Sequence, residues 1–338
     1  MNLDAAMAAA IEQGERVKGR TYPNPPVGAV ILDRDGQIAG VGATAPTGGP
    51  HAEVVALRSA GERAAGGTAV VTLEPCNHTG RTPPCVEALL AAGVSAVAFA
   101  VTDPNPVAAG GAARLAAAGV RVTAGVSADT VTRESLREWL HKQRTGSPHV
   151  TWKFAMSVDG RSAAADGTSQ WITGEAARAD VHRRRAAADA IVVGTGTVLT
   201  DDPTLTARLP DGGLADHQPL RVVVGHREIP SDARVLNGDA QTTVLRTRDP
   251  HEVLRALSDR TDVLLEGGPT LAGAFVRAGL VDRMLAYVAP ILLGGPITAV
   301  DDVGVSSITG AHRWQFDAMA QVGPDVMLSL TPRQRHSD

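Results

Sequence analysis

His51, Glu53, Cys76 and Cys85 have the types and the order that a hydrolytic zinc site needs. One imidazole and two thiolates supply three ligands, and a catalytic zinc keeps its fourth position for a water whose pKa falls to about 7 on the metal. Glu53 lies just beyond His51 and is not needed as a ligand. It can therefore shuttle protons between water, ring nitrogen and a leaving amine. The chemistry this implies is hydrolytic deamination.

Zinc nucleobase deaminases carry H-x-E followed later by P-C-x-x-C. His51-Ala52-Glu53 matches the first half, and Pro75-Cys76 opens the second. Cys85 is displaced, because Asn77 to Pro84 stand where the usual motif has two residues, so a loop must return the second thiolate to the first. Thr82 before Pro83-Pro84 predicts an N-cap and a helix that Cys85 opens, where free backbone N–H groups favour a thiolate. Two buried hydrophobes or a disulfide are the plainer uses of a cysteine pair. A long chain with two cysteines and no secretory pattern does not suggest an oxidised scaffold.

At 338 residues the chain is long for one core and predicts two domains. A net charge of −4 with 3% aromatic residues argues against gripping nucleic-acid phosphates and stacking extruded bases, so a small-molecule substrate is expected. The run Arg183-Arg184-Arg185 spreads around a helix and reads as a mostly solvated face. Residues 1–20 lack a basic start with an apolar run and predict a mature N-terminal helix. No apolar stretch approaches the roughly 20 residues that span a bilayer, so a cytoplasmic protein is expected.

The elements that must position the ligands read as a layered α/β domain over residues 1–145. Helices are expected near 4–18, 51–60, 82–92, after Gly111 and at 127–142, with strands near 27–32, 37–43, 69–73, 96–101 and 120–124. Both halves of the zinc motif then fall at helix starts that follow strands, the usual place for a site in such folds. Thr145-Gly146-Ser147-Pro148 has the composition of a boundary. A second domain is expected over 149–332, with strands near 150–156, 190–193, 220–224, 242–245, 263–265 and 283–288, and helices at 175–185, 250–257 and 269–277.

Two glycine turns mark this second half: Gly194-Thr195-Gly196-Thr197 after an apolar strand, and Glu266-Gly267-Gly268-Pro269-Thr270 between strand and helix. Such turns let backbone approach a phosphate, and the helix start adds N–H donors. Leu199 stands where a dinucleotide fingerprint wants its third glycine, which disfavours the conventional nucleotide-binding fold. Glu266 at the strand end suits a polar ligand contact.

The stretch Thr72-Leu73-Glu74-Pro75-Cys76-Asn77-His78-Thr79-Gly80-Arg81-Thr82-Pro83-Pro84-Cys85, with Lys153 to Gly160, Ser169 to Gly174, Val193 to Leu199, Asp201-Asp202-Pro203 and Glu266 to Pro269, resembles the bifunctional riboflavin-biosynthesis deaminase–reductases. The resemblance covers practically the whole chain. It implies a cytidine-deaminase-like N-terminal domain and a dihydrofolate-reductase-like C-terminal domain, with Zn2+ and NADPH as cofactors. The implied substrate is 2,5-diamino-6-ribosylamino-4(3H)-pyrimidinone 5′-phosphate, deaminated first and then reduced from ribosyl to ribityl. A homo-oligomer is also implied.

Carried over residue by residue, the resemblance makes His51, Cys76 and Cys85 the zinc ligands and Glu53 the proton shuttle. Asn24, His78 and Arg81 match positions that hold the pyrimidine, although Arg81 replaces a usual lysine and Thr44 stands where many members have a histidine. In the reductase, Ala155, Trp171, Thr197, Asp201, Gly268, Pro269, Thr270, Leu271, Ala272, Gly273 and Ala274 match positions around the cofactor. Ser169, Arg185, Leu205, Arg208 and Glu266 match positions around the substrate, and Arg185 with Arg208 would meet its phosphate. Lys153 and Asp201 are the ionisable groups expected nearest the reacting carbon, with Asp201 as proton donor because burial would raise its pKa.

Two other classes stay open at this level. A zinc-stabilised scaffold would close the metal site with a fourth ligand, for which His78 is available. A nucleic-acid deaminase would show strongly salt-dependent oligonucleotide binding.

Overall fold

The computed structural model describes residues 1–79 and 83–333, and the chain divides into two units, Met1–Gly146 and Ser147–Asp338. Arg81 and Thr82, both singled out by the sequence, lie outside the described residues.

Strands β1 (Gly28–Leu32), β2 (Ile38–Ala43), β3 (Thr68–Leu73), β4 (Ala96–Val101) and β5 (Arg121–Ala124) form the sheet of the first unit in the order β2-β1-β3-β4-β5. β1 runs antiparallel to β2 and β3, whereas β3, β4 and β5 are parallel. Every residue of β1 is buried, as expected of an apolar run covered on both faces. The cover comes from helices α1 (Leu3–Glu15), α2 (Ala52–Ala60), α3 (Cys85–Ala91), α4 (Gly111–Ala117), α5 (Ala128–Arg133) and α6 (Arg137–Thr145). The predicted single helix over 127–142 is thus two, broken at 134–136, where Glu134 leaves the helical region with φ −120° and ψ −107°.

Glycines set how closely the site-bearing helix lies on the sheet. A Cβ on Gly42 of β2 would come within 2.4 Å of the Ala56 nitrogen and 2.5 Å of the Ala52 oxygen, both on α2. Gly42→Ala is therefore expected to cost about 1–3 kcal/mol by forcing α2 outward. Urea unfolding followed on the first unit checks this, and an unchanged midpoint would mean that α2 is not held there.

The second unit carries β6 (His149–Ser157), β7 (Ala190–Gly194), β8 (Leu220–Val224), β9 (Thr242–Leu245), β10 (Asp262–Leu265), β11 (Arg283–Ala289), β12 (Trp314–Val322) and β13 (Asp325–Pro332). Their order is β12-β13-β11-β6-β10-β7-β8-β9, parallel from β11 to β9 and antiparallel at β13 and β12. In β7 the even residues Ala190 and Val192 join one core, and Ile191 and Val193 join another across the sheet. Helices α9 (Pro250–Ala256) and α10 (Pro269–Arg277) cover the first face through Val253, Leu254, Phe275 and Val276. On the opposite face, α7 (Glu175–Ala187) contributes Ala177 and Val181, and α8 (Thr195–Asp201) contributes Val198.

In this unit two features differ from the sequence expectation. The stretch read as a glycine turn after β7 winds into α8, with Gly194 as N-cap. β12 and β13 were not expected, although Trp314, Phe316, Ala318, Ala320 and Val322 alternate with Gln315, Asp317, Met319 and Gln321; the register to β13 shifts between Phe316 and Ala318, and Phe316 and Met319 are exposed.

Candidate functional site

His51 is the N-cap of α2, so its ring stands at the end of the loop leaving β2 while Glu53 sits in the first helical turn. Cys76 follows β3, and Cys85 is the first residue of α3. The two cysteines come together as expected: His51 Nδ1 lies 3.6 Å from Cys76 Sγ and 3.2 Å from Cys85 Sγ. The Cys85 backbone N–H, unpaired within its helix because it opens it, donates to Cys76 Sγ at 3.3 Å. Pro84 takes the cap position, and among the described residues no side chain caps this helix; the expected cap, Thr82, lies outside them.

These three donor atoms lie within 4.8 Å of one another. Zinc with bonds of about 2.3 Å to sulfur and 2.0 Å to nitrogen needs tetrahedral ligands about 3.5 Å apart, so the set fits the ion. Hydrogen bonds from Cys85 and His51 hold Cys76 far below the usual thiol range, while the hydrogen bond to Cys76 and burial push Cys85 up. His51 is raised by its hydrogen bond to Cys76. Glu53 is buried, and burial together with the Cys76 charge raises its carboxyl to about 7. His78 is not part of the cluster of donor atoms, so the closed four-ligand site of a scaffold is not formed by it.

The loop bearing Cys76 is held from behind by a residue the sequence reading passed over. Glu74 is buried and accepts the Ala112 N–H at 3.0 Å and the Asp103 N–H at 3.3 Å, tying the strand end to the start of α4 and to the loop after β4. A Cβ on Gly111 would lie 1.8 Å from the Pro75 oxygen, so only glycine lets α4 come this close. Asn77 N–H donates to the Ala108 oxygen at 2.9 Å, and Ala108 packs against both cysteines. A carboxylate directly after an apolar strand was the available signal.

Of the expected pyrimidine contacts, Asn24 lies in a turn closed by its own N–H to the Thr21 oxygen and by the Thr21 hydroxyl to its oxygen. His78 Nδ1 and Asn77 Oδ1 are buried without a hydrogen-bond partner among the described residues. Thr44 is buried, and its hydroxyl accepts the Val27 N–H at 3.1 Å.

In the second unit, the segments after β7 and β10 adjoin: a Cβ on Gly268 would be 3.6 Å from Thr197 Oγ1, and one on Gly194 would be 3.9 Å from Leu271 Cδ2. Gly268 caps α10, whose first residues are Pro269 and Thr270; the Thr270 hydroxyl donates to Asp301 at 3.2 Å. Ala272 and Gly273 are buried, Gly273 lying against the Asp302 oxygen, and Ala274 is half-buried. Trp171 is not in the core: it is 69% exposed, with the Arg178 guanidinium 4.7 Å from its ring centroid. Ser169 and Ala155 are half-buried. Asp201 ends α8 as an exposed residue whose carboxyl is raised by partial desolvation.

The ionic centre of this unit is a buried pair. Arg185 of α7 donates from Nε and a terminal nitrogen to both Glu266 oxygens, at 2.7 and 2.8 Å, and its other terminal nitrogen reaches the Thr206 oxygen at 3.2 Å. Lys153 Nζ stands 3.9 Å from Glu266 and 5.9 Å from the Tyr287 ring centroid. Burial alone would raise the Glu266 carboxyl, but Arg185 and Lys153 bring it down to about 2. Burial lowers Lys153. Arg185 therefore spends its fork on protein groups, while Arg208, half-buried and donating to the Gly212 oxygen at 3.2 Å, has no carboxylate partner among the described residues. Leu205 turns its side chain into the core, so its backbone is what the surface of the site offers.

Fold and site together define a zinc-dependent deaminase domain followed by a reductase domain. Residues 1–101 match the family model of the cytidine and deoxycytidylate deaminase zinc-binding region, and residues 148–328 match that of the RibD C-terminal domain. The chain belongs to the RibD family of riboflavin biosynthesis proteins. It is 69% identical over 332 residues to RibD of Mycobacterium tuberculosis strain H37Rv, covering 98% of each chain, and 40% identical to that of Escherichia coli K12, covering 96% of this chain and 98% of that one. Among solved structures, Acinetobacter baumannii RibD is 40% identical with a TM-score of 0.86. A Thermotoga maritima diaminohydroxyphosphoribosylaminopyrimidine deaminase/5-amino-6-(5-phosphoribosylamino)uracil reductase is 30% identical with a TM-score of 0.88; each covers 98% of this chain and 99% of its own. Zn2+ and NADPH are the cofactors of this pairing of domains. Among the described residues, no helix is long and apolar enough to cross a membrane.

Proposed function

We propose that the chain deaminates 2,5-diamino-6-ribosylamino-4(3H)-pyrimidinone 5′-phosphate in its first unit and reduces the ribosyl group of the product to ribityl in its second. The observation that carries this reading is the convergence of His51 Nδ1 on both cysteine sulfurs beside a buried Glu53. When bound, zinc lowers the pKa of a coordinated water, and NADPH supplies hydride. His51, Cys76 and Cys85 hold the metal. Glu53 takes a proton from the attacking water and delivers it to the exocyclic amine, which leaves as ammonia. Asn24, His78 and Arg81 orient the pyrimidine ring.

In the reductase, Ala155, Trp171, Thr197 and the stretch from Gly268 to Ala274 hold the cofactor, and Ser169, Leu205 and Arg208 meet the substrate. Arg185 and Glu266 shape that pocket through their ion pair, and Lys153 places a cation in it. Asp201 gives up a proton as C1′ receives hydride; the raised carboxyl at the end of α8 supports this role. A cytoplasmic homo-oligomer fits the reading, with the exposed Phe316 and Met319 of edge strand β12 as support.

Chelation of zinc from the full-length chain tests the division of labour. Deamination is expected to vanish and return with added zinc, while NADPH-dependent reduction of the already deaminated compound continues. A metal-free chain that still deaminates would overturn the first assignment.

A further inference from the structure

Arg221, in β8, is fully buried, and the carboxylate that acts on its charge, Asp239, is not among the groups that bond its guanidinium. Its guanidinium is met by oxygens instead: Thr204 O at 3.1 Å, Asn237 Oδ1 at 2.8 Å, Asn237 O at 2.6 Å, and Ala240 O. An apolar side chain of similar volume would fill the same space without the cost of burying a charge. What the arginine does that an apolar residue cannot is hold carbonyls, and one of them belongs to the turn that enters the candidate substrate pocket.

That turn has an unusual backbone. Leu205 sits at φ +53°, in the left-handed region that a bulky residue seldom adopts. Its neighbours on both sides are held by arginines: the Thr204 oxygen by Arg221 and the Thr206 oxygen by Arg185. The hydroxyls of Thr204 and Thr206 lie 3.1 Å apart beneath the turn, and the Leu205 side chain is anchored in the core. Such a conformation persists only where its surroundings over-determine it.

We propose that Arg221 is a positioning residue of the reductase: with Arg185 it clamps the 204–206 turn in its left-handed shape, and the clamped turn presents the Leu205 backbone and Arg208 to the substrate. This rests on the reading that the 204–208 loop meets the ribosyl phosphate. Arg221 acts through the loop and touches neither substrate nor cofactor. Without the Thr204 clamp, Leu205 relaxes toward negative φ and the binding-competent loop becomes a minority, which raises the apparent dissociation constant by the inverse of its population.

The test is steady-state kinetics on full-length Arg221→Met and Arg221→Lys, with the deaminated ribosylaminopyrimidine phosphate and NADPH varied separately. The KM for the pyrimidine is expected to rise about tenfold or more in Arg221→Met and by less in Arg221→Lys. The KM for NADPH, the reductase kcat and deamination by the first unit should stay near wild type. Should Arg221→Met fail to fold, Arg221→Lys decides by the same comparison. An unchanged pyrimidine KM, or a loss spread equally over kcat and both KM values, overturns the proposal and leaves Arg221 a structural residue. Arg208→Gln is measured alongside. A wild-type pyrimidine KM there would remove the loop from the substrate site, whereas a raised KM there with unchanged values in both Arg221 variants would remove the positioning role alone.

Discussion

Glu53→Gln is expected to lower the deamination rate by about a hundredfold to ten-thousandfold, the range a positioned acid–base group contributes, while zinc content and fold are retained. Glutamine keeps the size and most of the hydrogen-bonding shape of the buried side chain but cannot carry a proton back and forth. The three donors that fit the metal are His51, Cys76 and Cys85, and the carboxylate is not among them, so its loss should not release zinc. Single-turnover deamination combined with zinc analysis of the purified chain separates the possibilities. Loss of zinc in step with activity would make Glu53 a ligand, and retention of full activity would leave the chain without its proton shuttle.

The second large effect is expected at Glu266. Its carboxylate faces the buried Arg185 fork and the Lys153 ammonium, so Glu266→Gln leaves two buried cations with one neutral partner. Breaking a buried pair from one side typically costs about 3–5 kcal/mol, and that loss is expected in the unfolding of the second unit. Replacing both members, as in Arg185→Met with Glu266→Leu, should cost less than the single change, because no unpaired charge of the pair remains. Denaturant unfolding of the single and double variants checks this; equal stability of wild type and Glu266→Gln would contradict it. The pair also sets an acid limit. The folded-state carboxyl titrates near 2, below the ordinary value of 4.5, so its contribution is fully present above about pH 4.5 and lost as pH falls toward 2.

The cluster of possible metal ligands was legible in the sequence because its residue types are scarce and coordination chemistry restricts their use. The chain has two cysteines, and a His-x-Glu precedes them at a helix start. What could not be read was the support behind it: Glu74 is bonded to backbone groups 29 and 38 residues away, and no local pattern records such a contact. In the second unit, the strands of the parallel sheet showed as apolar runs because both their faces are buried. The residues of the candidate substrate site were less legible. Arg185 and Glu266, 81 residues apart, were each expected beside the substrate, but nothing in the sequence showed that they pair with one another. Leu205 was expected among the substrate positions, and nothing in its residue type announced that its side chain would be buried and its backbone left-handed. The hairpin of β12 and β13 was missed even though the apolar residues of β12 alternate along the chain.

The most direct measurement of the central claim is NADPH oxidation after adding the undeaminated diaminopyrimidine ribosyl phosphate, with wild type and Glu53→Gln each also given the deaminated compound. Wild type should oxidise NADPH with both compounds and Glu53→Gln only with the deaminated one, which fixes two activities and their order in one chain. Absence of NADPH oxidation with the deaminated compound in either chain would contradict the reductase assignment, and equal use of both compounds by Glu53→Gln would contradict the deaminase.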